Sequence, residues 1–201
     1  MLDEKTGPYG SLPRRGGGRR EKKRFLERYN ALKLGWFHDS LHFILLIAFA
    51  FVLFRFVIGF AVVGGESMSP NLTDGDMVLY LRIVSDYRRG DVISMRVPSG
   101  DYYVKRVIAL EGDVVDLRDG LVYVNGEAAE EPWAQGETLR ESGAVIYPYT
   151  VRPGNVFVLG DNRRVSMDSR TFGEVNRRQI RGRILLQVGP GGVRGLPGGE
   201  G

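Results

Sequence analysis

The stretch LHFILLIAFAFVLFRFVIGFAVV, residues 41–63, divides this chain into two unlike parts. Only His42, Arg55 and Gly59 interrupt 23 otherwise apolar residues. A helix crossing a hydrocarbon core needs about 20 residues, so Trp36 to about Val57 is long enough. Trp36 and Phe37 stand where an aromatic belt forms, and Arg55 can snorkel to the far interface. On the amino-terminal side, residues 1–36 hold 10 Lys and Arg against 4 Asp and Glu. The remaining 165 hold 18 against 20, so the formal net charge of +4 belongs to the arm and not to the body. By the positive-inside rule that arm stays cytoplasmic and the chain after Arg55 is exported. The arm is too long for the basic region of a cleaved signal peptide. Residues 10–20 are Gly- and Arg-rich without apolar periodicity, and Glu21–Leu34 reads as a short basic helix.

Beyond the span the pattern changes to short runs of Val, Ile, Leu and Tyr. Phe56–Val63 is strand-like. Further strands are expected at Met77–Ile83, Val92–Val97, Tyr102–Leu110, Val114–Leu117, Leu121–Val124, Asn155–Leu159 and Ile184–Val188, with Asp119-Gly120 as a hairpin turn. The fold class is therefore mainly β, a compact antiparallel β domain behind one N-terminal transmembrane helix. The expected divisions are an arm at 1–36, a span at 37–57, an exported β domain at 58–188 and a loose Gly/Pro tail at 189–201. Glu127–Glu141, acidic and broken by Pro132 and Gly136, reads as a loop.

The chemistry open to the exported part is narrow. The chain has no cysteine, and both histidines, His38 and His42, precede or open the span. A Ser-His-Asp triad and a Cys-His pair are thereby excluded from the β domain. His38-Asp39-Ser40-Leu41-His42 mimics a zinc helix, but one spanning helix offers no enclosed site, and no metal or cofactor is expected. The lysines say more. Of five, only Lys105 follows residue 33, whereas the other 17 basic Lys/Arg positions beyond residue 36 are all arginine. Arginine keeps its proton in proteins, while a buried lysine can lose it. Lys105 in the apolar run Tyr102–Ile108 is thus a candidate general base, though strand alternation alone allows it a wet face. Gly64-Gly65-Glu66-Ser67 supplies a candidate nucleophile, with glycines that permit close backbone approach.

Three motifs carry a resemblance. Ser67-Met68-x-Pro70-x-Leu72, then Tyr103-Val104-Lys105-Arg106-Val107 with Gly112-Asp113, then Gly160-Asp161-Asn162-Arg163-x-x-Ser166-x-Asp168-Ser169-Arg170 resemble, in order, the boxes of bacterial type I signal peptidases. The resemblance implies Ser67 as nucleophile, Lys105 as general base, Ser166 as the residue orienting the amine, and Asp168 with Arg170 as a supporting ion pair. It also implies that Met68, Leu72, Tyr103 and Val104 line pockets for small residues at positions −1 and −3 of a signal peptide. Expected partners are signal peptides of secreted preproteins, the bilayer and the export translocon. The expected location is the bacterial plasma membrane, with the catalytic domain on its outer face.

Departures from the family pattern are Asn71 in place of a common Thr, Glu111 in place of Pro, Arg164-Val165 in place of Asp-Asn, and Gly65 where some members carry a serine at the oxyanion hole. Self-cleaving repressors also use a Ser-Lys dyad, but they are soluble and carry a DNA-binding helical domain, unlike the arm and span here. The same residues could also belong to a β domain that only binds partners, or to an arm that binds nucleic acid. The arm's charges are explained by its place beside the span, so no nucleic-acid partner is expected.

Overall fold

The computed structural model describes residues 23, 24, 27, 40–142, 145–189 and 192–196. Most of the basic arm, most of the expected helix Glu21–Leu34, and Trp36, Phe37 and His38 lie outside these residues; Lys23, Arg24 and Glu27, within that expected helix, are helical. The chain falls into two units, Met1–Phe51 and Val52–Gly201. In the first, the described residues are helical from Ser40. The helix α1, Ser40–Val57, is 18 residues of apolar sequence, long enough to cross a membrane, and its side chains are exposed. Its last turn, Leu53–Val57, widens to a π-helix before the backbone becomes extended at Ile58.

The second unit is built on two antiparallel sheets. The larger has the order β1 (Ile58–Val62), β2 (Met77–Leu81), β11 (Ile180–Gly189), β3 (Val92–Arg96), β4 (Tyr102–Ala109), β9 (Asn155–Leu159) and β10 (Val175–Asn176), with β12 (Gly192–Gly195) also paired to β11. The smaller has the order β7 (Glu127–Ala128), β6 (Leu121–Val124), β5 (Val114–Arg118) and β8 (Tyr149–Thr150). A single helical turn, α2 (Ser169–Phe172), follows β9, and Asp168 caps it by accepting the Arg170 backbone N–H. Asp119 and Gly120 turn β5 into β6, both at positive φ, as a tight hairpin requires.

Most expected strands are found within a residue or two. The exceptions lie at the carboxyl end. β11 starts at Ile180 instead of Ile184, because Arg181 and Arg183 hide its alternation and the register shifts between Ile180 and Gly182. Residues 192–195, expected in a loose tail, form β12, which folds back so that Val193 faces Val188. The glycines there do not prevent pairing, because β11 supplies the template.

Three apolar clusters fill the unit. One joins the small sheet to β4 and β9 through Ile108, Val115, Val122, Phe157 and Leu159. A second packs Val63, Met68, Leu72, Val78, Tyr80, Val92 and Ile184 beneath the loop after β1. The third packs Ile93, Met95, Val107, Val156 and Val158 together. The second cluster seats the Ser67 loop on the sheet, and β4 crosses the sheet's middle. Sheet order thus brings the serine and lysine motifs together although 38 residues separate them.

Candidate active site

Ser67 sits in a turn anchored at both ends. The loop leaves β1 at Val63, whose N–H donates to the Asp76 carbonyl, and Gly75 donates back to Val63. Gly65, at φ +84, donates its N–H to Asp74 Oδ1 at 2.8 Å. That backbone conformation disfavours any residue with a Cβ, which is a physical reason for glycine here. Below, the Asp76 carboxylate is buried and accepts the Thr73 N–H (2.7 Å), the Thr73 hydroxyl (2.9 Å) and Gln187 Nε2 (2.6 Å). Those bonds hold its carboxyl below the usual range and tie the loop to β11.

Lys105 projects from β4 to the same place. Its Nζ lies 2.7 Å from Ser67 Oγ, and the residue is only 3% exposed. The alternation that allows it a wet face is overridden by the loop folded over it. Burial lowers its pKa from 10.5 to about 8, against the opposing pull of Asp168 and Asp161. At about 8, roughly a quarter of the amine is neutral at pH 7.5, against about one part in a thousand for an unperturbed lysine. The Tyr103 ring, its centroid 5.3 Å from Nζ, helps exclude water.

Asp168 and Arg170 form the expected ion pair. Arg170 Nε and Nη2 donate to the two carboxylate oxygens at 2.9 Å each, and neither side chain is more than 2% exposed. Asp168 also accepts the Gly160 N–H, and Arg170 donates to the Arg163 carbonyl. Ser166 is buried, but its hydroxyl has no hydrogen-bond partner among the described residues, so the expected orienting bond to the amine is not made. It lies against Gly160, where an added Cβ would meet Ser166 Oγ at 2.2 Å and the Ser67 carbonyl oxygen at 2.5 Å. The missing side chain at 160 is therefore what lets the third motif close on the nucleophile loop.

A cavity of about 340 Å³ opens beside the dyad. Met68, Tyr103 and Val104 line it, as expected. Leu72 does not: it is fully buried in the cluster beneath the loop, facing the sheet and not the cavity. Its apolar character serves packing. Val62, Tyr102, Ser94, Val165 and Met167 also line the cavity, and no sequence signal marks them. Val165 and Met167 are more than half exposed, and the Tyr103 hydroxyl reaches Met167 Sδ at 3.8 Å.

The structure adds a second buried ion pair that the sequence does not disclose. Arg106 Nε and Nη2 donate to Asp161 at 2.8 and 2.6 Å, with both side chains fully buried. Asn71 donates Nδ2 to Asp161 Oδ2 at 2.8 Å and to the Trp133 carbonyl at 2.9 Å. The residue that replaces a common Thr thus bridges the nucleophile loop, the third motif and the 127–141 segment. Arg163 holds that segment from the other side through Glu131 and Thr138. Both ends of the Arg106–Asp161 pair stand within the quoted motifs, but no local signal joins residues 55 apart.

The chain is similar to known proteins. The family described as signal peptidase, peptidase S26, matches residues 36–188. Signal peptidase IB of Staphylococcus aureus (strain Mu50 / ATCC 700699) is 33% identical over 173 residues, covering 76% of this chain and 91% of that protein. Signal peptidase I of Bacillus amyloliquefaciens is 34% identical over 149 residues, covering 69% and 80%. A crystal structure of a signal peptidase I from Enterococcus faecalis V583 is 33% identical, with a TM-score of 0.43 over 50% of this chain and 97% of that one. The chain belongs to the signal peptidase family, peptidase S26, and is a peptidase of the class that removes signal peptides.

Proposed function

We propose that this chain is a membrane-anchored endopeptidase that cleaves signal peptides after small residues at −3 and −1, with Ser67 as nucleophile and neutral Lys105 as general base. The observation that carries the reading is the 2.7 Å approach of a buried amine to the Ser67 hydroxyl. In the neutral amine the nitrogen lone pair accepts the hydroxyl proton as Ser67 Oγ attacks the scissile carbonyl. The resulting ammonium returns that proton to the leaving amine, which departs and leaves an ester on Ser67. A water molecule then gives its proton to Nζ and attacks the ester; the proton passes back to Oγ, and the free serine is restored. Among the described residues no acceptor takes the Ser67 N–H, which suits it as the main oxyanion donor.

The pairing of β4 supports an extended substrate. β9 pairs with β4 only from Arg106 onward, which leaves one edge of Tyr102–Lys105 without a neighbouring strand among the described residues. A peptide can add there by backbone hydrogen bonds and place alternate side chains in the cavity. Met68, Tyr103 and Val104 limit the room for those side chains. The remaining assignments follow from charge and hydropathy: residues 1–36 cytoplasmic, 37–57 spanning, and 58–188 on the outer face, where exported preproteins arrive. Asp168 and Arg170 brace the third motif, whose Asn162 N–H donates to the Ser67 carbonyl.

The test is cleavage of a preprotein with Ala-x-Ala before its mature start by the detergent-solubilised chain. Wild type should release the mature protein at that bond, and Ser67→Ala and Lys105→Arg should not. Cleavage by either variant at the wild-type rate would refute the assignment.

A further inference from the structure

Strand register gathers a set of arginines that the peptidase chemistry does not use. Ile58, the first residue of β1, faces Leu81, and Leu81 faces Arg183. β11 begins at Ile180, opposite Met95, and Arg96 at the end of β3 lies opposite Tyr102. The Arg82 N–H donates to the Val57 carbonyl at 2.8 Å. Arg82, Arg96, Arg178 and Arg181 therefore share the end of the large sheet that adjoins Val57, the last residue of the apolar helix. Arg96, Arg178 and Arg181, with Val97, Pro98 and Gln179, wall one open cleft of about 320 Å³.

Among the described residues these guanidinium groups have no acidic partners: none of the four makes a salt bridge. The nearest acids in sequence, Asp86, Asp91, Asp101 and Glu174, accept hydrogen bonds from Ser85, the Arg88 N–H, Ser99 and Asn155. Exposed Ile83 and Tyr102 flank the same end. Arginine forks beside an exposed aromatic and an aliphatic side chain make an interfacial composition. The fork geometry also matches phosphate oxygens better than a point charge does.

We propose that this end of the sheet docks on the headgroup layer of an anionic bilayer, with the Arg96–Arg178–Arg181 cleft holding lipid phosphate. The inference rests on reading α1 as a bilayer span. Position favours lipid over other polyanions, because the bond from the Arg82 N–H to the Val57 carbonyl ties this end of the sheet to the last residue of the span. Docking fixes the height of β4, whose Tyr102 is paired with Arg96, and so holds the cleft of Lys105 close above the lipid from which substrates emerge.

The full chain has no cysteine, so Ser99→Cys gives a unique attachment point for a fluorescent donor. The labelled chain is reconstituted in vesicles of phosphatidylcholine alone, or with one third phosphatidylglycerol, each carrying a headgroup acceptor. Energy transfer should rise with phosphatidylglycerol and fall back at high salt. The added substitutions Arg96→Gln, Arg178→Gln and Arg181→Gln should reduce the docking equilibrium by about a hundredfold and remove the lipid dependence. Flotation with vesicles and cleavage of a soluble peptide in detergent should be retained by that variant. Equal transfer in both lipids, or a triple variant that keeps the dependence, would overturn the docking. A wild type that fails to float would overturn the span itself and the docking with it. Oligonucleotide binding that needs the three arginines, without any lipid dependence, would reassign the surface and overturn the lipid proposal.

Discussion

Replacing Lys105 with methionine should make the protein more stable while destroying its activity. The magnitude follows from the buried amine. Its pKa falls from 10.5 to about 8 because burial penalises the charged form. Between those values the unfolded chain binds more protons than the folded one, so stability rises with pH across that window. Below pH 8 the full penalty is present, about 3 kcal/mol at pH 7; by pH 10.5 it has shrunk to a few tenths. Methionine is one atom shorter than lysine, equally unbranched, and carries no charge to desolvate. The loss of the 2.7 Å contact with Ser67 offsets only part of the gain, since a single hydrogen bond contributes about 1 kcal/mol. Denaturant unfolding at pH 7 and at pH 10.5 measures both arms. Lys105→Met should be about 2 kcal/mol more stable than wild type at pH 7, with most of that difference gone at pH 10.5. A variant less stable than wild type at pH 7, or a gain independent of pH, would refute the claim that the site holds its amine against desolvation.

Other variants test the parts around the dyad. Gly160→Ala puts a Cβ against Ser166 Oγ and the Ser67 carbonyl, so kcat should fall at least tenfold, with about 1–3 kcal/mol lost in a thermal melt; near-normal kcat would separate the third motif from the nucleophile. Asp168→Ala leaves Arg170 buried without its bidentate partner and should cost about 3–5 kcal/mol in denaturant unfolding. Leu72→Ala should lose about 2–5 kcal/mol of stability with unchanged choice of residues at −1 and −3, scored on a peptide panel; a shift in that choice would return Leu72 to the cavity wall.

What the sequence discloses here depends on range. Strands such as Leu121–Val124 and Asn155–Leu159 are legible at their observed boundaries, because apolar runs and Gly-Asp turns are local signals. The dyad is legible for a chemical reason: one lysine stands in an arginine-preferring body, beside motifs that resemble a known family. β11 reads short because arginines alternate with its buried residues, and β12 is hidden because its pairing depends on β11 and not on its own glycines. Long-range pairing is hidden as well. Nothing local to Arg106 names Asp161, and nothing local to Asn71 says that it reaches both Asp161 and the Trp133 carbonyl. Leu72 is misplaced by sequence because an apolar residue in a loop looks the same whether it lines a cavity or caps a core.

The account is tested most directly by acylating the nucleophile. A serine-directed acylating probe is incubated with the full-length chain in detergent across pH 6 to 10, and the adduct is located and timed by mass spectrometry. The adduct should sit on Ser67, form faster as pH rises through a midpoint near 8 to a plateau, and be absent from Lys105→Arg. An adduct on another serine, or equal labelling of wild type and Lys105→Arg at every pH, would contradict a buried lysine acting on Ser67.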